Sequence, residues 1–488
     1  MTVPETAAQT ARLFVDGRWE SPAGRELHAV TNPATGEVIG QVPFATGEDV
    51  DRAARAAYAA FLNWREVPVV DRVQVLYRYK NLLEKYLEEI ARILSTENGK
   101  TLEDARGSVR RGIQMVEMAC GMPSLMMGLS LENVSKGIDC HTIRQPLGVC
   151  AGITPFNFPA MVPLWMYPFA IACGNSFLLK PSEKVPLTPS RTAELLDEAG
   201  LPAGVYSLLH GSKEVVDALL AHPLVRAVSF VGSSPVAKYV YKTAAAYGKR
   251  VQALGGAKNH LVVMPDAQIA PSVEAIISSA FGAAGERCLA GSVLIAVGAA
   301  AEPLLDALVS RTRALRLGLG LDSATEMGPL VSAEHRRRVV GYIENGVAEG
   351  ARPLIDGRDA PANGRAGFFL GPTIFDHVRP EMTIVREEIF GPVLSVIRAK
   401  DLDEAIAIVN RSAFGNTTSI FTADGKTARE YASRIEVGMV GVNVGVAAPM
   451  AFFPFCGWKE SFFGDLHAHG RDAIAFYTEQ KVIVSRWL

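Results

Sequence analysis

The chain has 488 residues, 49 Lys and Arg against 51 Asp and Glu, a formal net charge of −2, and 49% hydrophobic residues. Such a length implies about three domain-sized units at roughly 100–200 residues each, with enough buried surface to need no disulfide or metal staple. The near-neutral charge excludes the basic footprint of a general nucleic-acid binder, so no nucleic-acid partner is expected.

The N-terminus, Met1 to Arg12, is polar and lacks the apolar stretch of a secretory signal, which points to a cytoplasmic location. Ala45–Ser95 reads as two amphipathic helices, the second long and charged (Asp71–Glu97), and a further helix runs from Leu102 to about Met122. Between Gln145 and Leu179 there is no charged residue, a run longer than the ~20 residues that span a bilayer. Pro146, Pro155, Pro159, Pro163 and Pro168 interrupt it, and a helix so broken would leave backbone groups unpaired in lipid. It therefore reads as a buried strand, a loop, a helix and a second strand, with no membrane partner. Strands Leu147–Ile153, Ser176–Lys180, Val205–Leu209 and Ala227–Val231 alternate with helices Pro163–Cys173, Ser190–Ala199 (capped by Thr188 or Ser190) and Lys213–Ala221. That alternation is the mark of βαβ units in a parallel sheet. A second block follows: strand Leu261–Met264, helix Ile269–Gly282, strand Val293–Val297, and helices Glu302–Leu315, Ser332–Gly350 and Leu402–Asn410. Ile138–Arg144 and Phe476–Arg486 alternate roughly as two-sided antiparallel strands and suggest an oligomerisation flap.

Neither a Gly-x-Gly-x-x-Gly after a strand nor a P-loop Lys is present. Ser229-Phe230-Val231-Gly232-Ser233 ends a strand just before a helix near Pro235, where Ser233 can cap a helix whose N-terminus favours anions. An ordinary strand-to-helix turn would read the same. Lys180-Pro181-Ser182-Glu183 stands at a strand's carboxyl end, where open α/β sheets bind ligands. A carboxylate there can accept both hydroxyls of a ribose, favouring NAD over NADP; a solvated charged loop is the alternative.

Cys288, in Gly285-Glu286-Arg287-Cys288, is the best nucleophile candidate, because an adjacent guanidinium lowers a thiol pKa. A packed structural thiol remains possible on these residues alone, as does a protease-like Cys–His pair. Cys120, Cys140, Cys150, Cys173 and Cys456 are too scattered for a disulfide framework and read as packing. No Cys/His set stands at metal-ligand spacing, so no metal is expected. His467 and His469 have no evident partner and read as surface residues.

Thr154-Pro-Phe-Asn157-Phe-Pro159, Lys180-Pro-Ser-Glu183, Phe230-Val-Gly232-Ser233, Leu254-Gly-Gly256, Gly285-Glu-Arg-Cys288 and Glu387-Glu388-Ile-Phe390-Gly-Pro392 occur in that order. Together they resemble the aldehyde dehydrogenase superfamily over nearly the whole chain. Gly255-Gly-Ala-Lys258-Asn-His260, Phe455-Cys-Gly-Trp-Lys459 and the ending Phe476-Tyr-Thr478…Val484-Ser-Arg-Trp487 are similar to its CoA-acylating methylmalonate-semialdehyde dehydrogenases. The resemblance implies an α/β fold of two Rossmann-type parallel-sheet domains plus a small β oligomerisation flap. Residues 1–129 and 145–253 would bind NAD, 254–455 would carry the nucleophile, and 130–144 with 470–488 would form the flap of a homotetramer or homodimer.

Residue by residue, the resemblance implies that Cys288 attacks an aldehyde and that Asn157 donates to the oxyanion. Lys180, Glu183 and Lys184 would meet the adenosine ribose, Ser233 the pyrophosphate, and Glu388 the nicotinamide ribose. Phe390 would pack by the nicotinamide, while Thr154 and Phe156 would touch the cofactor. Arg111 and Arg287 match positions that read the substrate carboxylate, for which bidentate guanidinium is suited. Arg111 as a solvated helix residue is the plainer alternative.

One departure is informative. Hydrolytic members carry Glu before Leu-Gly-Gly to activate water; here Ala253 stands there, beside Gln252, an amide that cannot act as a base. A thiol co-substrate needs no such base, so an acyl-CoA product is expected. The resemblance then implies oxidation of methylmalonate or malonate semialdehyde to propionyl-CoA or acetyl-CoA, with loss of CO2, using NAD and coenzyme A. The alternatives are a hydrolytic dehydrogenase in which Glu286 or Glu387 replaces the missing base, and an idle binding protein of the same fold.

Overall fold

The structure is a computed structural model that describes residues 9–22 and 24–487; of the polar N-terminal stretch, residues 1–8 lie outside these. Strands Val149–Ile153 and Ser176–Lys180 are buried along their whole length, which explains why this part of the chain carries almost no charge. Both faces of a parallel sheet are covered, so its strands read as continuous apolar runs. Tyr206–Leu208, Val225–Val231 and Arg250–Leu254 complete its parallel centre. Across the sheet the order is Phe462–Gly464, Arg250–Leu254, Val225–Val231, Val149–Ile153, Ser176–Lys180, Tyr206–Leu208, Leu13–Val15 and Arg18–Glu20. The chain steps outward from Val149–Ile153 in one direction, then returns to lay Val225–Val231 on its other side. Lys180 ends its strand, and Thr154 and Ser233 lie just past the carboxyl ends of theirs, beside that switch point, where open α/β sheets hold ligands.

At Gly255–Lys258 the chain passes into a second sheet, ordered Arg352–Ile355, Thr373–Asp376, Val393–Ala399, Gly291–Val297, Asn259–Val263, Thr417–Phe421 and Met439–Val442, parallel except for its first strand. A third, antiparallel sheet stands apart. Thr478–Arg486 pairs with Ile138–Pro146 from Thr478 opposite Pro146 to Arg486 opposite Ile138, and Ser130–Ser135 takes the far edge. Leu131, Val134, Val482 and Val484 are exposed on it.

Several expectations are corrected. The long helix at 71–97 is two helices, Val69–Lys85 and Leu87–Asn98, broken at Tyr86 without Gly or Pro. Tyr86 is held instead by cations on its ring, Lys85 Nζ at 4.7 Å and the Arg191 guanidinium at 4.9 Å. The helix expected at 163–173 is also split, into Met161–Leu164 and Tyr167–Ala172, because Pro168 cannot donate to the Leu164 carbonyl. Neither Thr188 nor Ser190 caps its helix, Leu187–Glu198. The buried Glu97 carboxylate, some 90 residues earlier, accepts from the Leu187 and Thr188 N–H groups at 2.8 Å each. His469 is fully buried, with Nδ1 2.7 Å from the Phe453 carbonyl and its ring against Trp165 and Phe455. His467 is half-buried beside Asp472. The six cysteines are all unpaired.

The cap gives a direct test. Glu97→Ala leaves two buried donors without a partner and is expected to destabilise the protein by about 1–3 kcal/mol. Glu97→Gln, which keeps one acceptor oxygen, loses less. Urea midpoints check this, and an unchanged midpoint for Glu97→Ala would remove the assignment.

Candidate active site

A cavity of about 830 Å³ lies between the carboxyl ends of the first sheet and the loops leading into the second. Thr154, Phe156, Asn157, Lys180, Glu183, Lys184, Ser233, Cys288, Glu388 and Phe390 all line it. Arg111 and Arg287, the two expected carboxylate readers, do not. Among the described residues no group of His, Cys, Asp or Glu could hold a metal ion.

Cys288 follows helix Ile269–Phe281 through a tight turn at Gly282–Gly285. Ala283, Ala284 and Gly285 are all left-handed, at φ 49°, 53° and 74°. For the alanines this conformation is costly and persists only where the surroundings impose it. Gly285 is also sterically required, since a Cβ there would lie 2.3 Å from the Gly391 carbonyl oxygen. Side-chain amides hold the Cys288 backbone: Asn259 Nδ2 and Asn416 Nδ2 each donate to its carbonyl at 2.9 Å. Burial, reinforced by the charge of Glu388, pushes the Cys288 thiol up to about 12, against the backbone N–H groups of Cys288 and Leu289 and the Arg287 charge. The expected lowering by Arg287 is therefore outweighed by burial.

Asn157 donates from Nδ2 to the Glu286 carbonyl at 3.0 Å, which ties its side chain to the loop that carries Cys288. An amide carries two N–H donors, so one remains. Behind it, Phe156, His335 and Phe390 pack edge to face, with His335 Nε2 2.6 Å from the Phe390 carbonyl.

At one end of the cavity Lys180 Nζ donates to Glu183 at 3.2 Å. Burial works to raise the Glu183 carboxyl, yet the Lys180 and Lys184 charges hold it below the ordinary carboxylate value. Lys184 Nζ sits 5.5 Å from the centroid of the Phe156 ring. Ser233 occupies the N-cap position of helix Ser234–Ala246 but makes no side-chain capping bond there, contrary to expectation, which leaves its hydroxyl to the cavity. The neighbouring Ser234 hydroxyl instead donates to the Glu460 carbonyl and accepts from Gly256 N–H.

At the other end Glu388 accepts from Ala257 N–H at 2.9 Å, and a Cβ on Gly256 would come within 2.3 Å of its carboxylate. Burial pushes Glu388 up to about 7, opposed by the Ala257 N–H and the Lys258 and Arg338 charges.

The arginines are engaged elsewhere. Arg287 pairs with Asp104 and donates to the Ser278 carbonyl at 3.1 Å. Arg111 donates to the Ala448 and Pro449 carbonyls at 3.0 and 2.8 Å.

The profile of the Aldehyde dehydrogenase family matches residues 19–483. The chain belongs to that family. It is 54% identical over 481 residues to malonate-semialdehyde dehydrogenase 2 of Geobacillus thermodenitrificans, covering 99% of this chain and 100% of that one. Malonate-semialdehyde dehydrogenase of Halalkalibacterium halodurans is 52% identical, over 97% and 98% of the two chains. Among solved structures, methylmalonate-semialdehyde dehydrogenase of Oceanimonas doudoroffii superposes with a TM-score of 0.96 at 48% identity, covering 98% and 99%. A chain from Sinorhizobium meliloti 1021 assigned as methylmalonate-semialdehyde dehydrogenase, solved with NAD, gives 0.97 at 46% identity over 99% of each.

Where hydrolytic members of the family carry their Glu, Ala253 is fully buried in the sheet, opposite Phe230 and Phe463. Both carboxylates considered as substitutes have other partners. Glu286 accepts from Val331 N–H at 3.1 Å and lies 3.5 Å from His335 Nε2. Glu387 accepts from the Tyr342 hydroxyl at 2.7 Å.

Sequence reasoning missed Asn416, His335 and Lys100, which carry no local signal. Asn259 stands inside the quoted Gly255–His260 motif, and that motif was the available clue.

Because burial favours the neutral thiol, alkylation of Cys288 by iodoacetamide without NAD is expected to keep rising about tenfold per pH unit from pH 8 to 10, where an ordinary thiol levels off near its pKa of ~8.5. Mass-spectrometric mapping of the Cys288 peptide reads the rate. A plateau near pH 9 would contradict the burial effect.

Proposed function

We propose that the protein is an NAD-dependent, CoA-acylating semialdehyde dehydrogenase that converts methylmalonate or malonate semialdehyde to propionyl-CoA or acetyl-CoA with release of CO2. The observation that carries this reading is Cys288 and Asn157 lining one cavity while a buried Ala253 stands where a water-activating carboxylate would be. Hydrolysis needs a base within hydrogen-bond reach, whereas a CoA thiol of pKa ~8.5 already supplies some thiolate at neutral pH.

The cavity suits a dinucleotide: Lys180 with Glu183 at one end, Glu388 against Gly256 at the other, and a volume to match. NAD bound there supplies the hydride acceptor. Glu183 takes the adenosine-ribose hydroxyls, with Lys180 and Lys184 beside it. Ser233 donates to the pyrophosphate, Glu388 accepts from the nicotinamide ribose, and Phe390 packs by the ring. Thr154 and Phe156 line the same wall.

Cys288 Sγ gives its proton to solvent water and bonds to the aldehyde carbon, and the resulting alkoxide accepts from the remaining Asn157 Nδ2–H and from Cys288 N–H. Such donors, fixed before charge develops, lower the barrier most. Loss of hydride from that carbon leaves a thioester on Sγ. The CoA thiolate then attacks the thioester carbonyl, forming the new C–S bond, and Sγ leaves as its thiolate. To hold the substrate carboxylate, Arg111 must leave the Ala448 and Pro449 carbonyls and Arg287 must leave Asp104. That carboxylate lies β to the thioester carbonyl, so its loss as CO2 with protonation of the α-carbon is chemically easy.

Residues 1–129 and 145–253 act in this reading as the NAD-binding unit and 254–455 as the catalytic unit. Segments 130–144 and 470–488 join copies of the chain into a homotetramer or homodimer, supported by the exposed apolar side chains of that sheet. Six unpaired cysteines fit a reducing cytoplasm.

With semialdehyde and NAD, sustained NADH formation is expected only when CoA is added; sustained turnover without CoA would point to the hydrolytic reading. Cys288→Ala should abolish the initial NADH burst while NAD still binds, and no burst from the unaltered protein would point to an idle fold. Arg287→Leu should raise KM for the semialdehyde far more than for propanal. Equal effects on both would remove its carboxylate role.

A further inference from the structure

Asn98, Gly99, Lys100 and Thr101 link two helices, Leu87–Asn98 and Leu102–Cys120, and pass beneath the Asn157 loop. Lys100 is almost completely buried, yet among the described residues its ammonium forms no ion pair with a carboxylate. Nζ donates to the backbone carbonyl of Asn157 at 2.5 Å and lies 4.1 Å from the centroid of the Phe158 ring. Two residues earlier, Asn98 Nδ2 donates to the Phe156 carbonyl at 3.2 Å. Consecutive carbonyls of the Asn157 loop are thus held from one short segment.

That segment is itself locked. Ser95 Oγ donates to the Lys100 carbonyl at 2.7 Å. A Cβ on Gly328 would lie 2.0 Å from the Gly99 carbonyl oxygen, and one on Gly320 would lie 2.2 Å from that of Lys100. The following helix turns to the nucleophile loop: the Asp104 carboxylate pairs with Arg287 and accepts from Ala283 N–H at 3.2 Å. One rigid connection therefore reaches both Asn157 and the turn that carries Cys288.

We propose that Lys100 is a positioning residue for the acylation step, holding the Asn157 backbone so that the Asn157 amide stands where the oxyanion forms. This rests on the reading of Asn157 as the oxyanion donor. A buried cation is costly unless satisfied, and no stability argument requires one at this place. Around the ammonium, burial pushes its pKa down to about 7; Asp104, Glu286 and Cys288 favour its charge and Arg287 opposes it.

A double-mutant cycle with Asn157→Ala tests the proposal, reading the NADH burst rate at saturating semialdehyde and NAD. Lys100→Met is expected to slow the burst roughly 10- to 100-fold, against the ~10²–10³-fold lost when an oxyanion donor is removed outright. In the Asn157→Ala background the same change should cost almost nothing, because an effect transmitted through one residue disappears with it. NAD affinity should be unchanged, and alkylation of Cys288 by iodoacetamide, a displacement that uses no oxyanion donor, should fall far less than the burst, by no more than the lost Lys100 charge takes from the thiolate. Equal slowing in both backgrounds, an unchanged burst, or a parallel fall in alkylation would overturn the positioning role. Lys100→Gln is put through the same cycle and read by the same criteria, so a folding failure of Lys100→Met does not remove the test. If Asn157→Ala alone left the burst intact, the oxyanion reading itself would fall, an outcome distinct from any of these.

Discussion

The site depends on the two amide hydrogen bonds that Asn259 and Asn416 make to the Cys288 carbonyl. Three left-handed residues precede the Cys288 loop, and such a turn has no local reason to hold its shape. Asn259 opens a central strand of the second sheet and Asn416 immediately precedes its neighbour, so the position of Sγ inherits the rigidity of the sheet. Asn157, from the first sheet, closes on the same loop through the Glu286 carbonyl. Nucleophile and amide are thereby registered to each other across two separately hydrogen-bonded sheets. Sites carried on regular elements in this way keep the sub-ångström geometry that acyl chemistry needs.

Burial dominates the electrostatics. Glu286 is pushed up to about 8, Glu388 to about 7, and Lys258 and Lys100 down to about 7, in each case first by desolvation. Isolated charges in such surroundings destabilise a fold, and clusters of perturbed groups in a cleft mark function more often than stability. Hydrogen bonds temper the cost: Glu388 has the Ala257 N–H, Glu286 the Val331 N–H, and Lys100 the Asn157 carbonyl. Lys258 Nζ has no such partner among the described residues. Its charge and that of Glu388 favour one another within the same dry region.

The parallel strands were legible because a strand covered on both faces must be apolar throughout, and Ser176–Lys180 was read to its observed ends. The cavity wall was legible because short motifs at strand ends, such as Lys180–Glu183, are brought to one switch point by the topology itself. Helix limits were less so. The cap on Leu187–Glu198 comes from Glu97, far away in the chain, and at the break the Tyr86 ring meets Arg191, which only folding brings to it. The burial of His469 against Trp165 has the same origin.

By itself the sequence determined the family, singled out the thiol Cys288 and the amide Asn157 as candidates, and put Ala253 where a carboxylate is absent, all of which are carried by covalent order and residue identity. Only the tertiary structure decided which partner each side chain takes. Arg287 goes to Asp104, Arg111 to the carbonyls of Ala448 and Pro449, and Lys100 to Asn157. The physical reason is range: a hydrogen bond or an ion pair is made over about 3 Å in space, between groups that here lie tens to hundreds of residues apart along the chain.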